Sequence, residues 1–332
     1  MNTSRRNTLF LLALFLGLSL LFWLSRKDAE PVSDRNFKVS NPNQIYRIVL
    51  THRDGERTEL LRKDGTWWYQ GNYRANPNVM ENLLDAVSRI QIRYVPPRAA
   101  LPLIQRDLAE HGIHVELFDQ RDRKLIGYFV GGSTADERGT HLMREGGQSP
   151  FVGELAGWEG NLRFRFRMRG DEWRDKTIIQ YQVGDLVSVR LTYPRQTEAS
   201  FSLRQQQGRY LLETVSGSRE PITIAPSRAA TYLREFRSLG AEAFENGNPH
   251  RDSIERSPPF VRIDLQERGG KQRTLSVWPI YPVDRLPGGG IVPRRGGVVE
   301  RYFVSDGEDD FYLIQDRVFR KIFRGYDFFN EP

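Results

Sequence analysis

The hydrophobic pattern of the chain changes character near residue 26. Residues 7–25 carry no charge and are almost continuously apolar. At about 1.5 Å per residue in a helix, this stretch reaches the ~30 Å thickness of a bilayer core. It is longer than the ~7–15 apolar residues of a cleaved signal peptide, and Trp23-Leu24-Ser25-Arg26-Lys27 offers no small-residue cleavage site. The pattern predicts an uncleaved transmembrane anchor at residues 7–25, with the lipid bilayer as its partner.

The charges beside this anchor leave its orientation open, because Arg5 and Arg6 precede it while Arg26 and Lys27 follow it. A large following domain is translocated largely regardless of charge, and a short basic tail normally stays in the cytoplasm. We therefore expect an inner-membrane protein with a cytoplasmic tail at residues 1–6. A polar spacer at 26–43 and a periplasmic body follow from the same assignment.

Beyond the spacer, a pattern of alternating apolar and polar positions occurs in two copies. The first copy opens with Ile45-x-x-Ile48-x-Leu50-Thr51, and the second opens with Leu186-x-x-Val189-x-Leu191-Thr192. Each copy then has a turn glycine followed by an aromatic residue, in Gly65-Thr66-Trp67 and Gly208-Arg209-Tyr210. A period of two indicates strands, and its recurrence in the same order indicates an internal repeat.

Each copy continues with one helical pattern and further strands. Asn76-Pro77-Asn78 and Pro226-Ser227 are helix-start signals, and apolar residues at helical spacing follow both. The sequence therefore predicts an α+β fold with two tandem, duplicated β-rich units, mainly antiparallel sheets and one main helix each. The predicted units cover residues 44–178 and 179–332.

Composition removes several classes of function. The 332 residues include 49 basic and 42 acidic side chains, a net charge of +7 that is too diluted to indicate nucleic acid without a recognition motif. The absence of cysteine excludes disulfides, thiolate metal sites and a thiol nucleophile.

Candidate chemistry along the chain is sparse. His111 and His114 have ligand-like spacing, but Gly112 and the strand that follows argue against a shared helical face. Neither a G-x-S-x-G elbow nor a phosphate-binding glycine loop occurs. We predict no cofactor, no metal and no catalytic residue, and an unrecognised hydrolase is the less favoured alternative.

Two segments are candidates for partner binding. Arginines alternate with apolar residues at Arg163, Arg165, Arg167 and Arg169, which predicts a strand with four guanidinium groups on one face. That face is either a charge-protected sheet edge or a surface for an acidic partner or anionic lipid.

The second candidate is an insertion of about a dozen residues in the second copy, at 286–297. Its glycines predict a loop without a regular element, and its tip combines Ile291 and Val292 with Arg294 and Arg295. Insertions in repeated units often lie on a binding face, so we predict a partner-contacting loop. A mobile hairpin without a role is the alternative.

Several of these features together resemble a known family. They are the anchor, the Gly65-Thr66-Trp67 turn, Gly131-Gly132-Ser133-Thr134, Gly139-Thr140-His141-Leu142 and the junction Trp173-Arg174-Asp175-Lys176. The set resembles the bacterial "domain of unknown function 4340" family. The resemblance implies an envelope protein encoded beside gliding-motility-type ABC transporter subunits, and it brings no biochemical activity.

The functional expectation is therefore a non-enzymatic, membrane-anchored accessory or scaffold subunit of an ABC-type transport complex in the cell envelope. An envelope glycan-binding module that uses exposed aromatic residues and arginines is the alternative.

A reporter fused after Pro332 tests the predicted orientation. A reporter enzyme that is active only outside the cytoplasm is expected to be active at this position, because the body follows a single membrane crossing. A fluorescent reporter that matures only in the cytoplasm is the matched control. If the cytoplasmic reporter is the active one, the body lies inside the cell and the orientation is wrong.

Overall fold

A computed structural model describes residues 34–182, 184–285, 291–294 and 296–329. Among these residues, no helix has the length and apolar character needed to cross a membrane. The predicted tail and anchor, at residues 1–25, lie outside the described residues, and so does Arg295.

The chain divides into two compact units, with the boundary between Arg174 and Asp175, shortly before the predicted boundary at 178/179. Each unit is built on a nine-stranded antiparallel sheet with a few helices. The mainly antiparallel α+β character expected from the sequence is therefore confirmed.

The sheet of the first unit has the order β4-β3-β2-β1-β6-β7-β8-β9-β5. Its strands are β1 (Arg47–Thr51), β2 (Arg57–Lys63), β3 (Thr66–Tyr69), β4 (Tyr73–Arg74), β5 (Ile90–Tyr94), β6 (Ile113–Phe118), β7 (Lys124–Ser133), β8 (Thr140–Arg144) and β9 (Pro150–Leu155). Helices α1 (Pro77–Arg89) and α2 (Leu101–His111) precede and follow β5. Four 3-10 segments complete this unit: Pro42–Gln44, Arg98–Ala100, Leu162–Arg165 and Gly170–Trp173.

The sheet of the second unit has the order β14-β13-β12-β11-β17-β18-β21-β22-β16. Its strands are β11 (Leu186–Thr192), β12 (Phe201–Gln206), β13 (Arg209–Thr214), β14 (Ile222–Ile224), β16 (Ala243–Phe244), β17 (Val261–Glu267), β18 (Gln272–Ile280), β21 (Arg301–Ser305) and β22 (Phe311–Gln315). Two further antiparallel pairs join β10 (Thr177–Ile179) to β15 (Leu239–Gly240) and β19 (Val283–Arg285) to β20 (Ile291–Pro293). The helices are α3 (Pro226–Leu233), α4 (Arg251–Glu255) and α5 (Asp316–Phe319), with 3-10 segments at Thr197–Ala199, Arg234–Phe236 and Tyr326–Phe329.

The two strand orders coincide position by position. The comparison leaves out β10, β15, β19 and β20, which lie outside the nine-stranded sheet of the second unit. In each nine-stranded sheet, the first four strands along the chain then follow one another from the middle of the sheet to one edge. In both units the strand that precedes the second helix closes the far edge. Equivalent strands also bury equivalent side chains, as Leu50 and Leu191 do on β1 and β11. A common strand order of this kind is what a repeated unit produces.

The main helix of each unit begins at the helix-start signal predicted from the sequence. The Asn76 side chain accepts hydrogen bonds from the backbone N–H groups of Asn78 and Val79, and Pro77 occupies the first turn. In the second unit, Pro226 likewise occupies the first turn of α3, but the N-cap residue, Ala225, makes no side-chain cap hydrogen bond. Leu83 and Tyr232 occupy the same position after these prolines, and both are fully buried. The same face of each main helix therefore packs against its sheet.

The prediction of one main helix per unit is incomplete for the first unit, which also contains the eleven-residue α2. The sequence pattern did not predict this helix, because only two of its residues, Ile104 and Leu108, are buried apolar residues. Leu103, which is 70% exposed, does not follow the helical spacing of a buried face. Its counterpart in the second unit is the five-residue α4.

The strand predicted at residues 163–169 is wrong. The chain forms a 3-10 helix over Leu162–Arg165, whose first turn is capped by the Asn161 side chain. Leu162 and Phe166 are both buried in the core, and their spacing of four residues suits a helical turn as well as a strand face. Because the run is short, the two periods were not distinguishable from the sequence.

The insertion at 286–297 was predicted to contain no regular element. Within it, however, Ile291–Pro293 forms strand β20, which pairs with β19 just before the insertion. Val283 pairs with Pro293, and Arg285 pairs with Ile291. The predicted polar spacer likewise reaches into folded structure. Phe37 is fully buried against Tyr128 and Phe151, so this end of the spacer belongs to the first unit.

Truncating the buried face of α1 tests its role in the first core. Leu83→Ala is expected to lower the free energy of unfolding by about 2–5 kcal/mol, because it leaves a cavity beneath the helix. Glu81→Ala on the exposed side of the same helix should change it by less than about 0.5 kcal/mol. Urea denaturation of the full-length chain measures both. Equal losses for the two variants would mean that α1 does not use this face for packing.

Candidate functional site

A pocket of about 500 Å³ lies in the second unit. It is bounded by the loop after β11, the segment that joins α4 to β17, and the ends of β18 and β21. Aromatic residues and prolines form most of its lining, including Tyr193, Pro258, Trp278, Pro279, Tyr281 and Phe303. This composition suits the recognition of an apolar group.

The base of the pocket is held rigid by packing and one hydrogen bond. Trp278 and Phe303 are cross-strand partners on β18 and β21, on the face of the sheet opposite the core. The Trp278 indole N–H donates to the Ser257 carbonyl at 3.0 Å, and Phe303 stacks on Phe311 with ring centroids 5.2 Å apart. The buried Trp278 indole therefore has a fixed orientation.

One wall is formed by Tyr193, which follows β11. Its hydroxyl donates to the Arg324 carbonyl at 2.9 Å, and its ring contacts Phe260 edge-on at 5.5 Å. Burial raises the pKa of Tyr193 well above its usual range. The hydroxyl is therefore neutral and already engaged, so this wall presents an apolar ring to the pocket.

The rim of the pocket carries uncompensated positive charge. Arg195 and Gln196 line it, and neither side chain has a hydrogen bond or ion pair within the described residues. Arg256, which follows α4, and Arg262, on β17, are also exposed and without a hydrogen bond or ion pair within the described residues, but neither lines the pocket. The acidic side chain before Arg256, Glu255, is hydrogen-bonded to Arg251 at 3.3 Å. An anionic or carbonyl-bearing group would meet free guanidinium donors here.

Exposed apolar side chains continue from the pocket along the inserted hairpin. Tyr281 is 56% exposed, and Val283 and Val292 on β19 and β20 are also exposed. Of the predicted contact residues, Val292 is thus at the surface, whereas Arg294 pairs with Asp284 at 2.7 Å. The hairpin therefore offers an apolar edge more than a basic one.

The four predicted arginines do not form a common surface. Arg165 is buried and donates to the Asp85 carboxylate at 2.7 Å, while Arg163 donates to the carbonyls of Val130 and His111. Arg169 binds Asp54 and Glu56, and Arg167 is exposed. The guanidinium groups of Arg163, Arg165 and Arg169 thus bind residues from other segments of the first unit.

A histidine–carboxylate group lies on the outer face of the first sheet. The potential ligand atoms of His114, Glu116 and Glu145 lie within 4.8 Å of one another. Lys124 Nζ lies 2.6 Å from Glu116 and 3.0 Å from Glu145. Burial raises the pKa of Glu145, but the hydrogen bond and charge of Lys124 outweigh it, and the pKa is lowered. The ammonium group of Lys124 already binds both carboxylates, so the residues fit an ion-pair network better than a cation site.

His111 and His114 have ligand-like spacing in the sequence, although Gly112 between them argues against a shared site. The structure separates them, because His111 pairs with Asp107 on α2 at 3.1 Å. His114 and Glu116 lie two residues apart on β6, with their side chains on the outer face of the sheet. Because residues two apart share one face of a strand, their spacing indicates that these two side chains are neighbours.

A second concavity of about 640 Å³ lies in the first unit, between α1 and the β3 region. Trp67, Met80 and Leu84 contribute apolar surface to it, and Asp85 lies at its edge. Since Asp85 already binds Arg89 and Arg165, its charge is compensated. The pocket of the second unit, by contrast, is lined mostly by aromatic residues and prolines.

Comparison of the sequence with models of known protein families identifies one match. Residues 71–256 match the model of the family described as "Domain of unknown function (DUF4340)". The match covers more than half of the chain, and the protein belongs to this family. No curated protein and no solved structure shows significant similarity to it.

The Arg165–Asp85 pair provides a test of the structural role assigned to the arginines. Arg165→Ala should lower the free energy of unfolding by about 1.5–3 kcal/mol, because Asp85 loses a charged hydrogen-bond partner. Arg167→Ala, a neighbouring exposed arginine, should change it by less than about 0.5 kcal/mol. Thermal and urea denaturation report the difference. A large loss for Arg167→Ala and none for Arg165→Ala would reverse the assignment.

Proposed function

We propose that this protein is a non-enzymatic accessory subunit of the cell envelope, in which the β-rich body docks other proteins of an ABC-type transport complex. In this proposal residues 7–25 tether the chain to the inner membrane, and the body lies in the periplasm. The pocket of the second unit is the proposed docking surface.

The observation that carries the proposal is the chemistry of that pocket. It combines aromatic and proline side chains with the unpaired Arg195 at its rim. Aromatic residues and arginine are the side chains enriched where proteins bind each other most strongly. The described lining residues include no Asp, Glu or His, the groups that most often transfer protons in catalysis. Binding is therefore better supported than chemistry at this position.

The exposed edge that adjoins the pocket supports a protein partner in particular. Tyr281, Val283 and Val292 extend the apolar surface outward along the hairpin. A pocket continued by an exposed apolar strip matches the arrangement of a protein contact, in which a buried centre is surrounded by a wider surface.

Glycan binding has less support, because sugar recognition needs an accessible aromatic face. Trp173 is fully buried, Trp278 is 6% exposed, and Trp67, Trp68 and Trp158 are half-buried. Trp67 and Trp68 are adjacent on β3, so they point to opposite faces of the sheet. The tryptophans therefore do not combine into one open platform within the described residues.

Co-purification tests the proposal directly. Full-length, tagged protein is crosslinked in cells and recovered from detergent extracts, and its partners are identified by mass spectrometry. ABC-type transport subunits are expected among them. Their recovery should fall about tenfold for Tyr281→Asp, because a buried carboxylate opposes apolar docking.

Ile222→Asp is the matched control, since Ile222 is similarly exposed but lies on β14, at the edge of the sheet. Recovery should be unchanged for this variant. If the two variants behave alike, or if transport subunits are not recovered with the unaltered protein, the proposed function is wrong.

A further inference from the structure

One buried arginine of the first unit has no partner. Three arginines are buried among the described residues, Arg144, Arg165 and Arg174, and each is 7% exposed. Arg165 binds the carboxylate of Asp85, and Arg174 binds that of Asp171. The Arg144 side chain forms neither a hydrogen bond nor an ion pair with any described residue, and its Nε and Nη1 atoms are fully buried. Its burial therefore lacks the compensation that the other two arginines have.

An arginine cannot relieve such burial by losing its proton, because a guanidinium group stays charged near neutral pH. Burial lowers the pKa of Arg144, and the nearby carboxylate of Asp34 partly offsets this effect. Asp34 is exposed, however, and it forms no ion pair with Arg144. A buried charge without a bound counter-charge opposes folding, so this position calls for an anion.

A second buried polar group lies beside Arg144. Tyr128 on β7 is the cross-strand partner of Arg144 on β8, so both side chains are on the core face of the sheet. Tyr128 is fully buried, and its hydroxyl has no hydrogen-bond partner within the described residues. Burial raises the pKa of Tyr128, and the charge of Arg144 partly offsets the shift. The hydroxyl is therefore protonated, close to the guanidinium group and able to donate a hydrogen bond.

Residues 34–39 cover this part of the core. Phe37 packs edge-on against Tyr128 and Phe151, with 5.8 Å between ring centroids in both contacts. The third nitrogen of Arg144, Nη2, also lacks a partner among the described residues, but it is not fully buried. A small ligand can therefore reach the guanidinium group at the edge of this cover.

A charged side chain occupies the same place in the second unit. Leu142 on β8 and Val304 on β21 are equivalent by strand register. Arg144 and Asp306 each lie two residues further along the chain. The two units therefore show how the same position is used with opposite charges.

The charge in the second unit is fully compensated. The side chain of Asp306 is 9% exposed, and it lies 3.4 Å from the guanidinium group of Arg273. It also accepts the Glu308 backbone N–H at 3.1 Å, and the Tyr312 hydroxyl lies 3.3 Å away. The repeated fold thus accommodates a buried charge here together with its partners, and Arg144 is the one that has none among the described residues.

We propose that Arg144 and Tyr128 form a binding site for one phosphate group. Its oxygens accept hydrogen bonds from the guanidinium nitrogens and the phenol, and its charge supplies the counter-charge. A tetrahedral phosphate presents oxygens in several directions, which suits donors on two side chains better than a planar carboxylate does. The cover of residues 34–39 shields these hydrogen bonds from water and so strengthens them.

The phosphate group belongs either to a free phosphate or to a lipid headgroup. A headgroup is one of the two sources because the predicted anchor ends at Ser25, nine residues before Asp34. The site lies in the first unit, so it is independent of the docking pocket proposed in the second.

Thermal unfolding of the full-length protein in detergent measures the site. Sodium phosphate should raise the unfolding midpoint by about 2–5 °C over sodium chloride of the same ionic strength, because a ligand of the folded state stabilises it. The rise should saturate with phosphate concentration. Tyr128→Phe should weaken the fitted affinity about tenfold, because the phosphate loses one hydrogen bond. Arg144→Met should abolish the rise.

The behaviour of the variants in chloride separates binding from a structural role. Arg144→Met should unfold at a higher midpoint than the unaltered protein there, because an apolar side chain of similar length replaces a buried unpaired charge. Arg167→Met, at an exposed arginine of the same unit, is the matched control. Its affinity for phosphate should stay within about twofold of the unaltered protein.

Glycerophosphoglycerol, the water-soluble headgroup of phosphatidylglycerol, distinguishes the two sources. Tighter binding of this diester than of inorganic phosphate identifies a lipid headgroup as the ligand, and the reverse order identifies free phosphate. Arg144→Met should abolish the binding of both probes, since both present the same phosphate oxygens to the site.

Three results would overturn the inference. The first is an equal midpoint in phosphate and chloride for the unaltered protein, which leaves only charge screening. The second is loss of the phosphate effect in Arg167→Met as well as in Arg144→Met. The third is an equal fall of the midpoint in chloride for Arg144→Met and Asp34→Asn, because Asp34 would then be the counter-charge of Arg144.

Discussion

In each nine-stranded sheet, two central strands set which side chains form the core: β1 and β6 in the first unit, and β11 and β17 in the second. The register between them decides which side chains are buried. Ile48 and Leu50 on β1 face Leu117 and Val115 on β6, and all four are fully buried. A shift of one residue would move this apolar set to the solvent face, because side chains alternate along a strand. The same constraint on β11 and β17 keeps the second sheet in the arrangement of the first.

Because this constraint acts on one face of each sheet, the opposite face is free to diverge. In the first unit Gly131 allows α2 to lie against the sheet, whereas Trp278 and a proline segment replace this packing in the second. The outer face beside β7 is thus covered by a helix in the first unit, whereas the equivalent region borders a pocket in the second. Two sheets of the same strand order can therefore keep equivalent cores while their outer faces differ.

The arginines differ between the two units in a similar way. Arg53, Arg163 and Arg165 are used inside the first unit, where they bind carbonyl groups and the Asp85 carboxylate. Arg195 in the second unit has the same chemistry but no partner among the described residues. An exposed guanidinium group without a protein partner can exchange its hydrogen bonds with water for hydrogen bonds with another molecule.

Local patterns in the sequence determined the antiparallel α+β character of the body and the start of the main helix in each unit. Alternation and a proline at the first turn are read from neighbouring residues, as at Pro77 and Pro226. Only the tertiary structure decided which face each helix covers and which partner each charge finds. Arg165 and Asp85 are 80 positions apart, so no local period connects them. The pocket likewise depends on segments separated along the chain, whose approach is set by packing.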